Sequence, residues 1–219
     1  AETDLLQQYI PIAKMRSLTL PDGTKVQLNS KSTLLYPHEF TGDSRSVFLL
    51  GEANFKVKPD KKRPFIVKSN DLQITALGTE FNVSAYPESQ EIATTLISGS
   101  IRVAYNNLTT SVILHPNEQF AYNRNNKKYD LSNPDMDDVT AWQRGELVLQ
   151  KMTLTDIINV LERKYPYAFV YSIKNLKNDR FSFRFKDNAP LEEVMEIIVN
   201  VVGQMDYRIV EDKCYLTRI

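Results

Sequence analysis

Short segments of alternating apolar and polar residues, separated by turn-forming residues, fill the first half of the chain. In residues 20–29, Pro21 fixes φ at the first central position of a turn, Asp22 suits the second, and Gly23 accepts a positive φ. Thr19 and Val26 are therefore expected to pair across a hairpin. Strands are predicted at residues 17–20, 25–28, 46–50, 54–58, 64–68, 73–77, 81–86, 93–97, 100–105, 111–114 and 119–122.

Turn residues separate these predicted strands at regular intervals, including Gly42, Gly51, Gly78 and Gly99. Such spacing favours a mainly β domain built as a twisted sandwich, a roll or a short solenoid over a parallel α/β sheet. The polar residues 122–138, which include Pro134, indicate a linker or a loosely held edge segment.

The hydrophobic period changes from two to 3.6 beyond this polar segment, which predicts a small α+β domain. Thr153 with Asp156 forms a capping pattern ahead of one amphipathic helix, and Pro190 fits the first turn of a second helix. Each helix is flanked by predicted strands, which gives a doubled β-α-β unit whose halves are expected to share one sheet. Three phenylalanines alternate along one of these strands and are expected to lie in the core: Phe181, Phe183 and Phe185.

Composition excludes several classes of function. Lys and Arg (27) balance Asp and Glu (27), so the chain has no basic surface of the kind that binds nucleic acid. The single Cys214 excludes an intrachain disulfide, and a buried structural thiol is favoured over a nucleophile. The longest apolar stretch, residues 194–202, is interrupted by Glu196 and Asn200 and is too short to span a membrane.

Catalytic and metal-binding patterns are not found in the sequence. His38 and His115 each stand beside a proline without a second ligand at metal-binding spacing. The sequence has no nucleophile elbow and no glycine-rich phosphate loop. We therefore expect no enzymatic activity, no metal and no cofactor.

The order and spacing of several short segments resemble the periplasmic region of FecR-type anti-sigma regulators. The resemblance begins with the hairpin around Pro21, Asp22 and Gly23, and the carboxy-terminal domain resembles the one found in many such regulators. The remaining matching residues are Gly51, Glu52, Gly78, Thr79, Phe81, Asn82, Trp142 and Gly145. This resemblance implies a linker remnant at residues 1–14, an all-β domain at 15–138 and an α+β signalling-type domain at 139–219.

The resemblance also implies a function in signal relay. Regulators of this type lie in the inner membrane with one transmembrane helix, which would precede the present chain, and their periplasmic region binds the signalling domain of a TonB-dependent outer-membrane transducer. A cytoplasmic segment, also outside this chain, controls an extracytoplasmic-function sigma factor. The periplasmic region is expected to be a monomer in isolation.

The partner-binding surface is predicted on outward-facing residues of the carboxy-terminal domain, because a small open sheet can accept a strand from another protein. The candidates are Ser182, Arg184, Lys186 and Arg208. Two alternatives remain from sequence: a glycan- or peptide-binding β-module that acts without a sigma factor, and a hydrolase with an unrecognised site.

Overall fold

A computed structural model describes residues 4–172 and 178–219 of the chain. Two compact units are present, Ala1–Thr140 and Ala141–Ile219. In the first unit the strands are β1 (Leu5–Tyr9), β2 (Arg16–Thr19), β3 (Lys25–Leu28), β4 (Thr33–Pro37), β5 (Arg45–Lys56), β6 (Phe65–Lys68), β7 (Gln73–Ala76), β8 (Glu80–Ala85), β9 (Glu91–Ser98), β10 (Ile101–Tyr105), β11 (Thr110–Leu114), β12 (Gln119–Asn123) and β13 (Lys128–Ser132), followed by helix α1 (Met136–Thr140).

The thirteen strands of the first unit form one curled sheet whose two halves share β5. The amino-terminal part of β5 pairs with β4 and with β6, and its carboxy-terminal part pairs with β3 and β8. Aromatic side chains from the two halves meet in a single core. For example, the ring centroids of Phe55 on β5 and Phe65 on β6 are 5.9 Å apart. The unit is therefore mainly β, as predicted.

The bend between the halves occurs at Gly51, which lies inside β5. Residues 46–50 and 54–58 were predicted as two strands with a turn at Gly51, and this is wrong because the strand runs unbroken from Arg45 to Lys56. Gly51 has φ +111°, a conformation that lets the backbone bend without ending the hydrogen-bonded ladder.

Residues 5–9, predicted as part of a linker remnant, are instead strand β1, which pairs antiparallel with β4. The pairing is stabilised by apolar burial, since Leu6 is half-buried and Ile10 is 1 % exposed. Within the polar segment 122–138, β13 pairs with β12 as an edge strand and every one of its residues is exposed. The first hairpin is also shifted by one residue from the prediction, because Thr19 pairs with Lys25 and Leu18 with Val26.

The second unit begins with a 3₁₀ turn (Ala141–Arg144) and contains two longer helices that pack on two small sheets. Thr153 caps the first of these helices by accepting a hydrogen bond from the Asp156 N–H at 3.3 Å. The elements are β14 (Leu147–Thr153), α2 (Leu154–Lys164), β15 (Ala168–Val170), β16 (Arg180–Phe185), α3 (Leu191–Val202), β17 (Met205–Val210) and β18 (Lys213–Arg218).

Over the described residues of the second unit the strands form two sheets, contrary to the prediction of one. The strands that precede the helices, β14 and β16, pair with each other, and the other sheet has the order β15-β18-β17. The β14–β16 pair is favoured by apolar cross-strand contacts, such as Phe183 opposite Leu149 and Phe185 opposite Leu147. Phe183 and Phe185 are buried beneath the helices and Phe181 is half-buried.

Candidate partner-binding site

The four predicted partner-binding residues lie on two different sheets of the second unit. Ser182 and Arg184 project from β16, Lys186 follows its last residue, and Arg208 lies on β17. All four are exposed, because alternate residues of each strand face the core. The structure therefore separates one predicted surface into two.

The side chains on β16 already have partners within the protein. Ser182 Oγ accepts a hydrogen bond from the Lys151 N–H at 2.9 Å, next to an irregularity in the β14 pairing where Lys151 has φ +50°. Arg184 Nη2 donates to Glu146 Oε2 at 3.0 Å, and Arg144 Nε donates to the other oxygen of the same carboxylate at 3.2 Å. This face is thus an ion-paired surface.

The face of β17 is less engaged in contacts of this kind. The Arg208 guanidinium lies over the Tyr215 ring, 5.4 Å from its centroid. Asp206 and Val210 project to the same side of the strand as Arg208, and all three are exposed. Among the described residues no strand pairs with the outer edge of β17, so its edge is open to another chain.

A buried ion pair anchors the Pro21-Asp22-Gly23 turn. Arg45, which is 0 % exposed, donates from Nη1 to Asp22 Oδ2 at 2.7 Å and to the Lys58 carbonyl at 2.7 Å. Asp22 also accepts hydrogen bonds from the backbone and the hydroxyl of Thr24, at 2.9 Å and 2.8 Å. The turn residues therefore hold the start of β5 against the loop that follows it, which is a structural role.

A second polar network surrounds Glu52. Its two carboxylate oxygens accept hydrogen bonds from Asn29 Nδ2 at 2.9 Å and from Asn82 Nδ2 at 3.0 Å. The preceding residue, Gly51, packs so closely on Ser32 that an added Cβ would lie 2.7 Å from the Ser32 Cα. The Glu52 carboxylate therefore links β5 to the loop that follows β3 and to β8.

The motif residues after the bend also contribute to packing. Phe81 stacks on Phe55 with the ring centroids 5.3 Å apart, and the Thr79 carbonyl accepts a hydrogen bond from the Val57 N–H at 2.8 Å. Gly78 packs against Pro59, and a Cβ added at Gly78 would lie 3.0 Å from the Pro59 Cα. These contacts join β5 to β8.

Trp142 and Gly145 close the 3₁₀ turn that begins the second unit. The Gly145 N–H donates to the Trp142 carbonyl at 3.0 Å, with Gly145 at φ +77°. The Gly145 carbonyl accepts a hydrogen bond from Lys164 at the end of α2, and burial lowers the pKa of that amine. A side chain at position 145 would overlap the Asp187 carboxylate.

Few groups in the described part of the chain suggest chemistry. His38 and His115 are exposed, and within residues 4–172 and 178–219 no cluster of three or more potential metal ligands is found. Cys214 is buried, and burial raises the pKa of its thiol to about 11. In the same described ranges no helix is long and apolar enough to cross a membrane.

Comparison with known proteins assigns both units. The sequence model of the FecR protein family matches residues 11–102, and the model of the FecR carboxy-terminal domain matches residues 146–216. The chain belongs to the FecR family. No curated protein matches it.

Two crystal structures of a candidate anti-sigma factor from Parabacteroides distasonis ATCC 8503 resemble this FecR-family chain. They were determined at 1.65 Å and 2.50 Å resolution, and both share 33% sequence identity with it. The TM-scores are 0.91 and 0.92, and each comparison covers 98% of this chain and 99% of the other. The likeness therefore extends over both units.

The FecR matches divide the predicted residues into two groups. The motif residues from Pro21 to Asn82 lie in the first match, and the four predicted partner-binding residues lie in the second. Trp142 and Gly145 precede the second match. Partner binding by Ser182, Arg184, Lys186 and Arg208 stays a prediction.

A surface hollow of about 560 Å³ lies where three hairpin loops of the first unit meet. Its lining combines amide, hydroxyl and charged side chains with two aromatic residues, Phe48 and Tyr122, of which Phe48 is 42% exposed. Three successive residues at its rim, Asn106, Asn107 and Leu108, have positive φ. Sequence reasoning missed this hollow because its lining residues, from Phe48 to Lys127, are far apart in the chain and their loops carry no local signal.

Proposed function

We propose that this FecR-family chain is the periplasmic signal-relay region of a membrane-anchored anti-sigma regulator. Its carboxy-terminal unit binds the signalling domain of a TonB-dependent outer-membrane transducer, and that contact controls an extracytoplasmic-function sigma factor through a cytoplasmic segment. Membership of an anti-sigma family supports the regulatory role. The open edge of β17 in the unit matched by the FecR carboxy-terminal model is the observation that carries the transducer proposal.

The face and edge of β17 are the better candidate of the two predicted surfaces. On β16, Ser182 and Arg184 hold contacts within the protein, and a partner that used them would have to replace those contacts. On β17, the backbone of an edge strand can pair with an incoming strand, while alternate side chains select the partner. For this selection, Asp206 and Arg208 present one negative and one positive charge to a partner, and Val210 presents an apolar side chain.

Relay from this surface requires that the transducer favour one state of the regulator over another. A ligand that binds both states equally shifts no equilibrium, however tightly it binds. The expected consequence is a change in the exposure or tension of the chain near the membrane, which determines whether the sigma factor is released. This mechanism involves protein contacts and no bond-making by the described residues.

Calorimetric titration with the signalling domain of the cognate transducer tests the proposal. Replacing Arg208 with Glu should weaken binding by about tenfold, because it reverses a charge in the centre of the interface. Replacing Lys128 with Glu on β13 is the matched control, since it makes the same charge reversal on an edge strand of the first unit and should leave affinity unchanged.

The variants also separate the two candidate surfaces. A loss of affinity on replacing Arg184 with Glu, with none on replacing Arg208, would move the interface from β17 to β16. Each variant is first checked by circular dichroism, because Arg184 is ion-paired with Glu146. The absence of binding by the wild-type chain at any concentration would count against the relay function itself.

The hollow in the first unit supports a second candidate function, a glycan- or peptide-binding module. Amide groups and one exposed aromatic ring are the usual means of holding a sugar, through hydrogen bonds to hydroxyls and stacking on the ring face. Screening against a glycan array, with Asn107 replaced by Ala as the comparison, tests this function. Binding that is lost in the variant would support it, and a blank array would remove it.

A further inference from the structure

The edge strand β1 differs from most other edge strands of the protein because it carries no charge. Its sequence is Leu-Leu-Gln-Gln-Tyr, and among the described residues only β4 pairs with it. Proteins usually protect exposed edges with lysine, proline or a bulge. Charged residues are present on three other edges: Arg16 on β2, Lys128 and Asp130 on β13, and Asp206 and Arg208 on β17.

The outward side of β1 continues into an exposed apolar surface. Leu5 and Tyr9 are 46% and 49% exposed, and the pairing places Tyr9 next to Thr33 on β4 and Thr33 next to Leu50 on β5. Leu50 is 40% exposed, and Phe48 lies on the same side two residues before it. A row of large apolar side chains beside an unprotected edge marks an interaction surface.

We propose that two copies of this chain pair through β1, in antiparallel orientation about a two-fold axis at Gln7. This arrangement opposes Leu5 of one copy with Tyr9 of the other, which forms an aromatic–aliphatic cross-strand pair on each side of the axis. Gln7 meets Gln7 of the other copy, and two amides can donate to and accept from each other. The strand is therefore complementary to itself, as a two-fold interface requires.

Pairing of this kind satisfies the open backbone groups of β1 and brings Leu5 and Tyr9 of the two copies into contact. Leu50 and Phe48, two strands in from the edge, stay outside that contact. The shared sheet would continue from β4 of one copy through both β1 strands to β4 of the other. No charge has to be removed from water, since β1 contains none. The proposal replaces the sequence-based expectation of a monomer and does not depend on the transducer proposal.

Analytical ultracentrifugation over a range of concentrations measures the association. The mass of the wild-type chain should rise from 25.2 kDa toward twice that value as concentration increases. Replacing Gln7 with Lys places two like charges opposite each other at the axis and should keep the chain monomeric. Replacing Ser111 with Lys on β11, another uncharged edge, is the matched control and should leave the association intact.

Cysteine cross-linking tests the register, because the single native Cys214 is fully buried. Opposed residues of antiparallel strands lie about 4.5–5.5 Å apart at Cα, within the span of a disulfide. With an added oxidant, Gln7→Cys should form a covalent dimer. Leu5→Cys and Tyr9→Cys should form one when mixed but not separately, because residues 5 and 9 oppose each other across the axis.

Several results would overturn the proposal. A wild-type chain that stays monomeric at every concentration would do so, as would a dimer that Gln7→Lys leaves intact. Cross-linking of Leu5→Cys by itself would show a different register. Flotation of a monomeric chain with phosphatidylethanolamine–phosphatidylglycerol vesicles would assign the apolar surface to a membrane instead.

Discussion

Replacing Gly51 with Ala should destabilise the first unit far more than replacing Gly42 with Ala. Both glycines have positive φ, +111° and +84°, so each substitution forces a non-glycine residue into a strained conformation. Such strain costs about 1–2 kcal/mol, and the loss of glycine entropy in the unfolded chain offsets about 0.4–1 kcal/mol. Gly42 has nothing within 4 Å of its added Cβ, so its net cost is about 1 kcal/mol.

Gly51 adds a steric term that Gly42 lacks. An added Cβ would lie 2.4 Å from Ser32 Oγ and 2.7 Å from Ser32 Cα, and the backbone atom cannot rotate away. Overpacking of this kind costs about 1–3 kcal/mol. Moving Ser32 also disturbs two hydrogen bonds to the backbone of Glu52, at 2.9 Å and 3.1 Å. The total for Gly51→Ala is about 3–5 kcal/mol.

Urea unfolding followed by circular dichroism gives both free energies. The comparison is informative because the chemical change is the same and only the surroundings of the Cβ differ. Equal destabilisation of the two variants would refute the reasoning, since backbone strain would then account for the whole effect. A change in the slope of the transition would show that the surface exposed on unfolding, or two-state behaviour itself, had changed.

Four further outcomes follow from the structure. Gly23→Val should destabilise the hairpin by about 1 kcal/mol or more through its φ of +89°, measured by urea unfolding. Arg45→Met should cost about 3–5 kcal/mol because it leaves the Asp22 carboxylate buried without its cation, and a double variant with Asp22→Asn should recover part of that loss. Burial raises the pKa of the Cys214 thiol from 9.0 to about 11, so the folded state favours the neutral thiol. The stability that this thiol contributes is complete below pH 9 and is lost as pH rises toward 11. In thermal melts, Cys214→Ala should therefore lose less stability than the wild type over that pH range. Limited proteolysis should cut first within residues 134–142, and early cleavage inside residues 148–219 would contradict this boundary.

Sequence patterns predicted the strands where local alternation matches burial. Lys25–Leu28 alternates between more exposed residues and the buried Val26 and Leu28, and its predicted bounds are those of β3. The patterns failed where pairing with distant residues decides the outcome. β1 has two adjacent leucines and two adjacent glutamines, so its period-two signal is lost. β13 is an exposed edge strand that, among the described residues, pairs with β12 alone.

The candidate site was only partly accessible to sequence reasoning. Strand alternation identified the outward side chains of β16 and β17, but it could not show that these strands belong to different sheets. The buried cation Arg45 carries no local signal, because its partner Asp22 lies twenty-three residues earlier. Two loops of the hollow are adjacent because β7 pairs with β10, and the loop between β12 and β13 is brought to them by the curl of the sheet.

The sharing of β5 by both halves of the sheet has a consequence for how the first unit unfolds. This strand is hydrogen-bonded to β3, β4, β6 and β8. If either half of the sheet opens, β5 loses strand partners and holds the other half less firmly. The halves should therefore melt in one cooperative step, and the amides of β5 should exchange with solvent only through that global event. A force applied to one end of such a unit would reach the opposite end without being absorbed by partial unfolding.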